Sequence, residues 1–192
     1  MSVLVNNVGM AFAQEKPGLK AFNTQPDWGI HNLITCNMYG ATLLTHEVVQ
    51  SFKKRYEKTG QRSCITFTSA MAAICPIPGV ALYSATKIYS DFLAWGLSAE
   101  LAKYKVDVTA WRAMGVSTNM TENIDTNVMV ATPEHYVKTA MSKMTSGVHA
   151  GYLPHEIAGL LWTNINDLMP VSFCQSAFEL ILKKHESDFH KQ

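Results

Sequence analysis

Charge is scarce in this chain of 192 residues: Asp, Glu, Lys and Arg make up 16% of it, against roughly a quarter in ordinary soluble domains. Sixteen Lys and Arg stand against fifteen Asp and Glu, a formal charge of +1. That balance excludes a general electrostatic footprint for nucleic acid or for an anionic membrane surface. Cysteine is sparse too. Cys36, Cys64, Cys75 and Cys174 are scattered without a Cys-x-x-Cys pair, which argues against a disulfide frame or a zinc site and for buried or free thiols in a reducing compartment. Neither His46-Glu47 nor His155-Glu156 continues to a second His four positions after the first, so the helical zinc-protease motif is missing and no metal is expected.

The opening Met1-Ser2-Val3-Leu4 lacks the basic stretch and long apolar run of a signal peptide. Without one, the sequon Asn119-Met120-Thr121 reads as a chance match. No stretch reaches about 18 uninterrupted apolar residues, so nothing here spans a bilayer by itself. Repeats, low-complexity tracts and Pro/Gly/Ser-rich linkers are absent, and residues 1–192 read as one domain. What is abundant is apolar: 47% of residues are hydrophobic. Disorder is excluded at that content, and apolar surface remains for a ligand, a partner chain or a membrane.

The apolar residues alternate between two periods. Val3-Leu4-Val5, closed by Asn6-Asn7-Val8-Gly9, fits a buried parallel strand running into a turn. Residues 10–29 carry Pro17, Gly18, Pro26 and Gly29 and are expected to be loop with at most a short helix. From Ile30 to Lys58 the pattern is helical, with Leu44, Val48, Phe52 and Tyr56 every fourth residue and Gly60 as the stop. Strands are expected at 63–68 and 106–111, flanking a helix from Tyr83 to about Tyr104 whose stripe is Ile88, Phe92, Trp95 and Ala99. Both stripes read as core or, for the second helix, a subunit interface. Strand and helix alternating in this way predict an α/β fold with a parallel sheet. Residues 112–131 look irregular; Thr132-Pro133-Glu134 opens another helix. Further helices are expected at 155–169 and 172–187, and a short strand between Val148 and Leu153. The ten methionines and the apolar stretch from Leu160 to Phe178 read either as plain core or as the lining of a lipid-sized pocket or membrane contact.

Tyr83-Ser84-Ala85-Thr86-Lys87 places a phenol and an ammonium at i and i+4 on one face of a helix start. A neighbouring cation favours the phenolate and lowers the phenol's pKa, which would fit Tyr83 to protonate a carbonyl oxygen as hydride arrives at carbon. Ser69, just upstream at a strand end, would hydrogen-bond the same developing oxyanion. The plainer readings are a strand-end serine for Ser69 and a helix-surface or cap asparagine for Asn37.

With these motifs in order, the chain resembles the short-chain dehydrogenase/reductase family. Leu4-Val5-Asn6-Asn7-Val8-Gly9 is similar to the family's Asn-Asn-Ala-Gly turn, Thr35-Cys36-Asn37 to its active-site asparagine, Ser69, Tyr83 and Lys87 to its serine and Tyr-x-x-x-Lys pair, and Val116-Ser117-Thr118 to the segment that holds the nicotinamide carboxamide. Asn6 to Met10, Pro76-Ile77-Pro78, Thr126-Asn127-Val128 and His155-Glu156-Ile157 resemble the branch of 17β-hydroxysteroid dehydrogenases and very-long-chain 3-oxoacyl-CoA reductases. The resemblance implies a Rossmann-type sheet and reduction of a ketone on a steroid or long-chain acyl substrate with NADP(H), NAD(H) remaining open. It implies Tyr83 as proton donor, Lys87 as the cation holding the nicotinamide ribose, Ser69 as carbonyl polariser and Asn37 as anchor of a relay water. Asn6, Val8 and Gly9 would line the adenosine side of the cleft, with Val116 and Thr118 at the carboxamide. It further implies the endoplasmic reticulum, a lipophilic ketone or alcohol as partner, and possible homodimer or membrane association.

Departures accompany the likeness. The Asn-Asn turn comes at residue 6, and no Gly-x-x-x-Gly-x-Gly occurs, so the family's phosphate-binding half has no counterpart here. The Val3–Val5 strand is therefore expected at a sheet edge. Ser69 stands 14 residues before Tyr83, and the strictly aligned position is Ala70; a one-residue bulge would return Ser69 to the site. Ala113 stands where the family usually has proline. Three readings follow: the reductase, cytoplasmic if these residues are the whole chain; a truncated, non-catalytic relative acting as an interaction subunit or an incomplete gene product; and two chains associating around the exposed strand.

Overall fold

The computed structural model describes residues 2–12, 22–168, 172 and 176. Cys174, the tail and nearly all of the helix expected over 172–187 lie outside the described residues.

Four strands, β1 (Val3–Asn6), β2 (Ser63–Ala70), β3 (Val106–Ala113) and a short strand Gly147–His149, form one parallel sheet in that order. Adding each strand on the same side by right-handed crossovers stacks the connecting helices on one face. The first connection is a near-continuous helix: α1 (Asp27–Ile34), a π-helical turn (Thr35–Gly40) and α2 (Ala41–Thr59). Gly60 ends α2 at φ 68°, a left-handed value that costs glycine nothing. The second connection is α3 (Ala81–Leu101). Leu4, Ile65, Phe67, Val106, Val108 and Ala110 meet Val48, Val49 and Phe52 of α2 and Ala94 and Leu101 of α3 in the main core.

The helical stripes divide. Val48 and Phe52 are buried as expected, but Leu44 is exposed, and Phe92 (62% exposed) and Trp95 project from α3 and stack edge-on at 5.9 Å. β1 lies at the sheet edge as expected. Its register against β2, Val3↔Cys64 to Asn6↔Phe67, leaves Leu4 facing the core while Val3 and Val5 face out.

Beyond β3 the chain makes an excursion rather than a plain loop. Two-residue strands β4 (Gly115–Val116) and β5 (Val130–Ala131) pair in parallel, α4 (Pro133–Ser142) follows, and the strand Gly147–His149, β6, pairs with β3 before α5 (Leu153–Leu168). Thr132 Oγ1 accepts from the His135 amide and Pro133 occupies the first turn, so α4 starts where its cap residues dictate.

Candidate active site

In a parallel sheet, ligand sites open at the carboxyl ends of the strands. Three segments converge there: the turn after β1, the π-helical turn ahead of α2, and the first turns of α3. Asn37, buried in the π-helical turn, is the junction. Its Oδ1 accepts from the Met10 amide at 2.8 Å. Its Nδ2 donates to the Met10 carbonyl at 2.8 Å and to Thr86 Oγ1 at 2.9 Å. Thr86 Oγ1 donates onward to the Tyr83 carbonyl at 2.8 Å. The extra residue of a π-turn re-aims a side chain without breaking the helix, and here it carries the side chain that ties both neighbouring segments together.

Lys87 is buried and donates from Nζ to the Thr68 carbonyl at 2.7 Å. The same ammonium lies 5.5 Å from the centre of the Tyr83 ring. Gly9 closes the cluster: a Cβ there would stand 3.5 Å from both Asn37 Oδ1 and Lys87 Nζ, so the turn backbone passes directly over the pair. Thus Asn37, Tyr83, Lys87 and Gly9 come together.

The expected electrostatics are reversed. Burial pushes the Tyr83 phenol up to about 12, and burial brings Lys87 down from 10.5 to about 8, with Cys36 and Asp91 partly restoring its charge. The ammonium stands over the ring and bonds a carbonyl, so desolvation of the phenol prevails over the cation.

The one-residue bulge that would return Ser69 to the site does not form. β2 and β3 stay in register without interruption from Ser63↔Val106 to Ala70↔Ala113. With side chains alternating along a strand, Ser69 shares the face of Ile65 and Phe67, beneath α3. Its Oγ donates to the Lys87 carbonyl at 3.1 Å and lies within reach of the Asp91 carboxylate. Asp91 is fully buried and takes the Arg112 guanidinium at 2.7 Å. Burial raises the Asp91 carboxyl, and Ser69, Arg112 and Lys87 oppose that rise.

Asn6 turns toward α2, its Nδ2 donating to Thr45 Oγ1 at 3.1 Å. Val8 is 83% exposed. Val116 and Thr118 lie in the excursion, where Thr121 Oγ1 donates to the Val116 carbonyl at 2.7 Å and accepts from the Thr118 amide at 2.9 Å. Sequence reasoning missed Met10, Thr68 and Thr86, of which the first two act through backbone atoms. It also missed the Asp91–Arg112 pair, although Asp91 follows Lys87 at helical spacing. Among the described residues no group of His, Cys, Asp and Glu is placed to hold a metal ion.

The short chain dehydrogenase profile matches residues 1–129. The chain belongs to the short-chain dehydrogenase family. It is 32% identical over 190 residues to 17-beta-hydroxysteroid dehydrogenase type 3 of Homo sapiens, covering 96% of this chain and 56% of that protein. It is 29% identical over 160 residues to very-long-chain 3-oxoacyl-CoA reductase-B of Danio rerio, covering 83% and 49%. The short-chain dehydrogenase of Sphingobium yanoikuyae in complex with NADPH superposes with a TM-score of 0.60 at 28% identity, over 74% of this chain and 53% of that one. The chain thus spans about half the length of the curated relatives it matches, and family membership makes it an oxidoreductase relative with the carboxyl part of a Rossmann-type fold.

Proposed function

We propose that this chain carries the reaction centre of an NADP(H)-linked reductase that interconverts a ketone and a secondary alcohol on a steroid or long-chain acyl substrate. The observation that carries the reading is the junction of Asn37, Thr86, Tyr83 and Lys87 under the Gly9–Met10 turn. The relatives' names supply the substrate class.

The residues present fit the nicotinamide half of such a cofactor: Gly9 places no side chain over Asn37 and Lys87, and Lys87 brings a cation with donors to spare beyond its bond to Thr68. Val116 and Thr118 would hold the carboxamide; Asn6, Val8 and Gly9 would border the adenosine side. A bound nicotinamide supplies hydride. With its pKa near 12, the Tyr83 phenol stays protonated through neutral pH and holds the proton that a carbonyl oxygen gains. Lys87 is still largely charged at pH 7 and favours negative charge developing on that oxygen. Asn37, both ends of its amide engaged, keeps the turn and α3 in register. Ser69 braces the Lys87 backbone from beneath.

Exposed Phe92 and Trp95 on α3 support association with a second copy. The endoplasmic reticulum is the proposed setting by resemblance to the same branch; among the described residues no helix is long and apolar enough to cross a membrane.

One observation favours a second reading, a non-catalytic relative: the aligned serine position is Ala70, and Ser69 is turned beneath α3, where its hydroxyl is taken up by the Lys87 carbonyl. Titrating the protein with NADPH and NADH while following nicotinamide fluorescence separates the two. Saturable binding, tighter for NADPH, and turnover of a 17-ketosteroid or a 3-oxoacyl-CoA support the reductase; no saturable binding establishes the alternative. In the reductase, Tyr83→Phe lowers turnover by about 10²–10⁴-fold with folding intact, and retained turnover removes Tyr83 from the mechanism.

A further inference from the structure

His155-Glu156-Ile157 contributed to the resemblance yet has no part in the chemistry above. His155 is fully buried in the first turn of α5. The Tyr152 ring meets its imidazole edge-on at 4.8 Å, and the Tyr136 ring of α4 lies at 5.8 Å. Its two nitrogens reach opposite ends of one segment. The Met114 amide, just after β3, lies 3.3 Å from Nδ1, and the Met129 carbonyl, just before β5, lies 3.0 Å from Nε2. An amide can only donate and a carbonyl can only accept, so the two contacts require a neutral ring with its proton on Nε2.

We propose that His155 is a positioning residue that clasps both ends of the 114–129 excursion and thereby sets where Val116 and Thr118 stand along the cofactor cleft. The consequence for the cleft rests on the function proposed above; the clasp itself does not.

The excursion is braced as a unit, which is what makes a clasp at its ends effective. Thr121 ties Val116 to Thr118, the Ser117 amide donates to the Ala131 carbonyl at 3.0 Å, and the Asn127 amide donates to the Val130 carbonyl at 2.9 Å. Gly115 packs so closely that a Cβ there would stand 2.9 Å from Val130 Cγ2 and 3.0 Å from the Met129 carbonyl, so the seam admits no side chain. On the other side, Glu156 Oε1 accepts from the amides of Ala150 and Gly151 at 2.8 and 3.3 Å and anchors the entry to α5. Tyr152 adds a bond to the Val128 carbonyl at 3.3 Å. Burial holds the imidazole below its ordinary pKa; the Glu156 carboxylate on its own helix and the Met129 and Gly115 carbonyls act in the opposite direction.

Ring ¹⁵N shifts and amide hydrogen exchange on this chain test the clasp. Protonation on Nε2 alone is expected for His155 at neutral pH; protonation on Nδ1, or on both nitrogens, overturns it. His155→Phe fills the same space without either bond, and exchange at residues 114–131 rises at least tenfold while β1, β2 and β3 stay within twofold. His155→Gln restores a donor toward Met129 and recovers part of the protection. Unchanged exchange in His155→Phe, or an equal rise throughout the sheet, overturns the clasp. Where the wild type binds NADPH, His155→Phe weakens that binding about tenfold; altered exchange with unaltered binding overturns the link to the cleft. A wild type that binds no NADPH removes the function proposed above, and ring shifts and exchange then decide the clasp by themselves.

Discussion

Strands β1 and β2 lie side by side in one parallel ladder, yet their surroundings differ. β2 is paired on both sides, four residues against β1 and eight against β3, and it buries Ile65 and Phe67 under α2 and α3. Among the described residues β1 has a neighbour on one side only, and Val5, half exposed, faces away from the core. The candidate site is built across this boundary. Thr68 comes from the closed strand β2 and Tyr83, Thr86 and Lys87 from α3, which packs on it, while Gly9 and Met10 follow the open edge and Asn37 fastens one side to the other. Chemistry-bearing side chains thus stand on the rigid side, while the edge contributes backbone.

The sharpest way to break this comparison is in the core. Phe67→Ala lowers unfolding stability by about 3–5 kcal/mol, measured by denaturant titration; a cost below about 1 kcal/mol removes the claim that β2 is the rigid element.

Lys87→Met comes next, with the opposite sign. The folded chain holds Lys87 near 8 while the unfolded chain keeps 10.5. Below pH 8 both states are protonated and the folded state carries the full penalty of a buried charge. That penalty is relieved as pH rises from 8 to 10.5, where the unfolded chain binds more protons. Lys87→Met therefore stabilises by about 1–3 kcal/mol at pH 7, the lost bond to Thr68 offsetting part of the gain, and the advantage fades by pH 10.5. Destabilisation at pH 7 would show that the bond outweighs burial.

Asn37→Ala separates the two regions without emptying the core. Loss of its bonds to Met10 and Thr86 costs about 1–3 kcal/mol and raises exchange at the Met10 amide while β3 is unaffected; unchanged Met10 exchange denies Asn37 its joining role. Val5→Lys has the smallest effect, within about 0.5 kcal/mol of wild type. A charge on an open edge also suppresses edge-to-edge pairing, so light scattering at rising concentration should show less association than in the wild type.

Much of this arrangement was legible in the residues. The strand, helix, strand order followed from apolar periods and from stop signals such as Gly60, and Thr132-Pro133 marked the start of α4 to the residue. Tyr83 and Lys87 were legible because i, i+4 spacing is a local property of a helix. The Asn37 connection to Met10 was not, since its partner is a backbone group contributed from across a loop. The choice between Ser69 and Ala70 was not legible, because register against β3 is a property of two strands, and the uninterrupted ladder decides against a bulge. Leu44, Phe92 and Trp95 carried the right period for a core, but period fixes a face and not what covers it.

By itself, then, the sequence determined the α/β alternation, the helix ends and the pairing of a phenol with an ammonium, because each depends on neighbours within a few residues. Tertiary structure alone decided which face Ser69 takes, that burial rather than the neighbouring cation governs Tyr83, and that His155 joins the two ends of the excursion. Those outcomes depend on desolvation and on contacts between distant segments, which exist only once the strands and helices have packed.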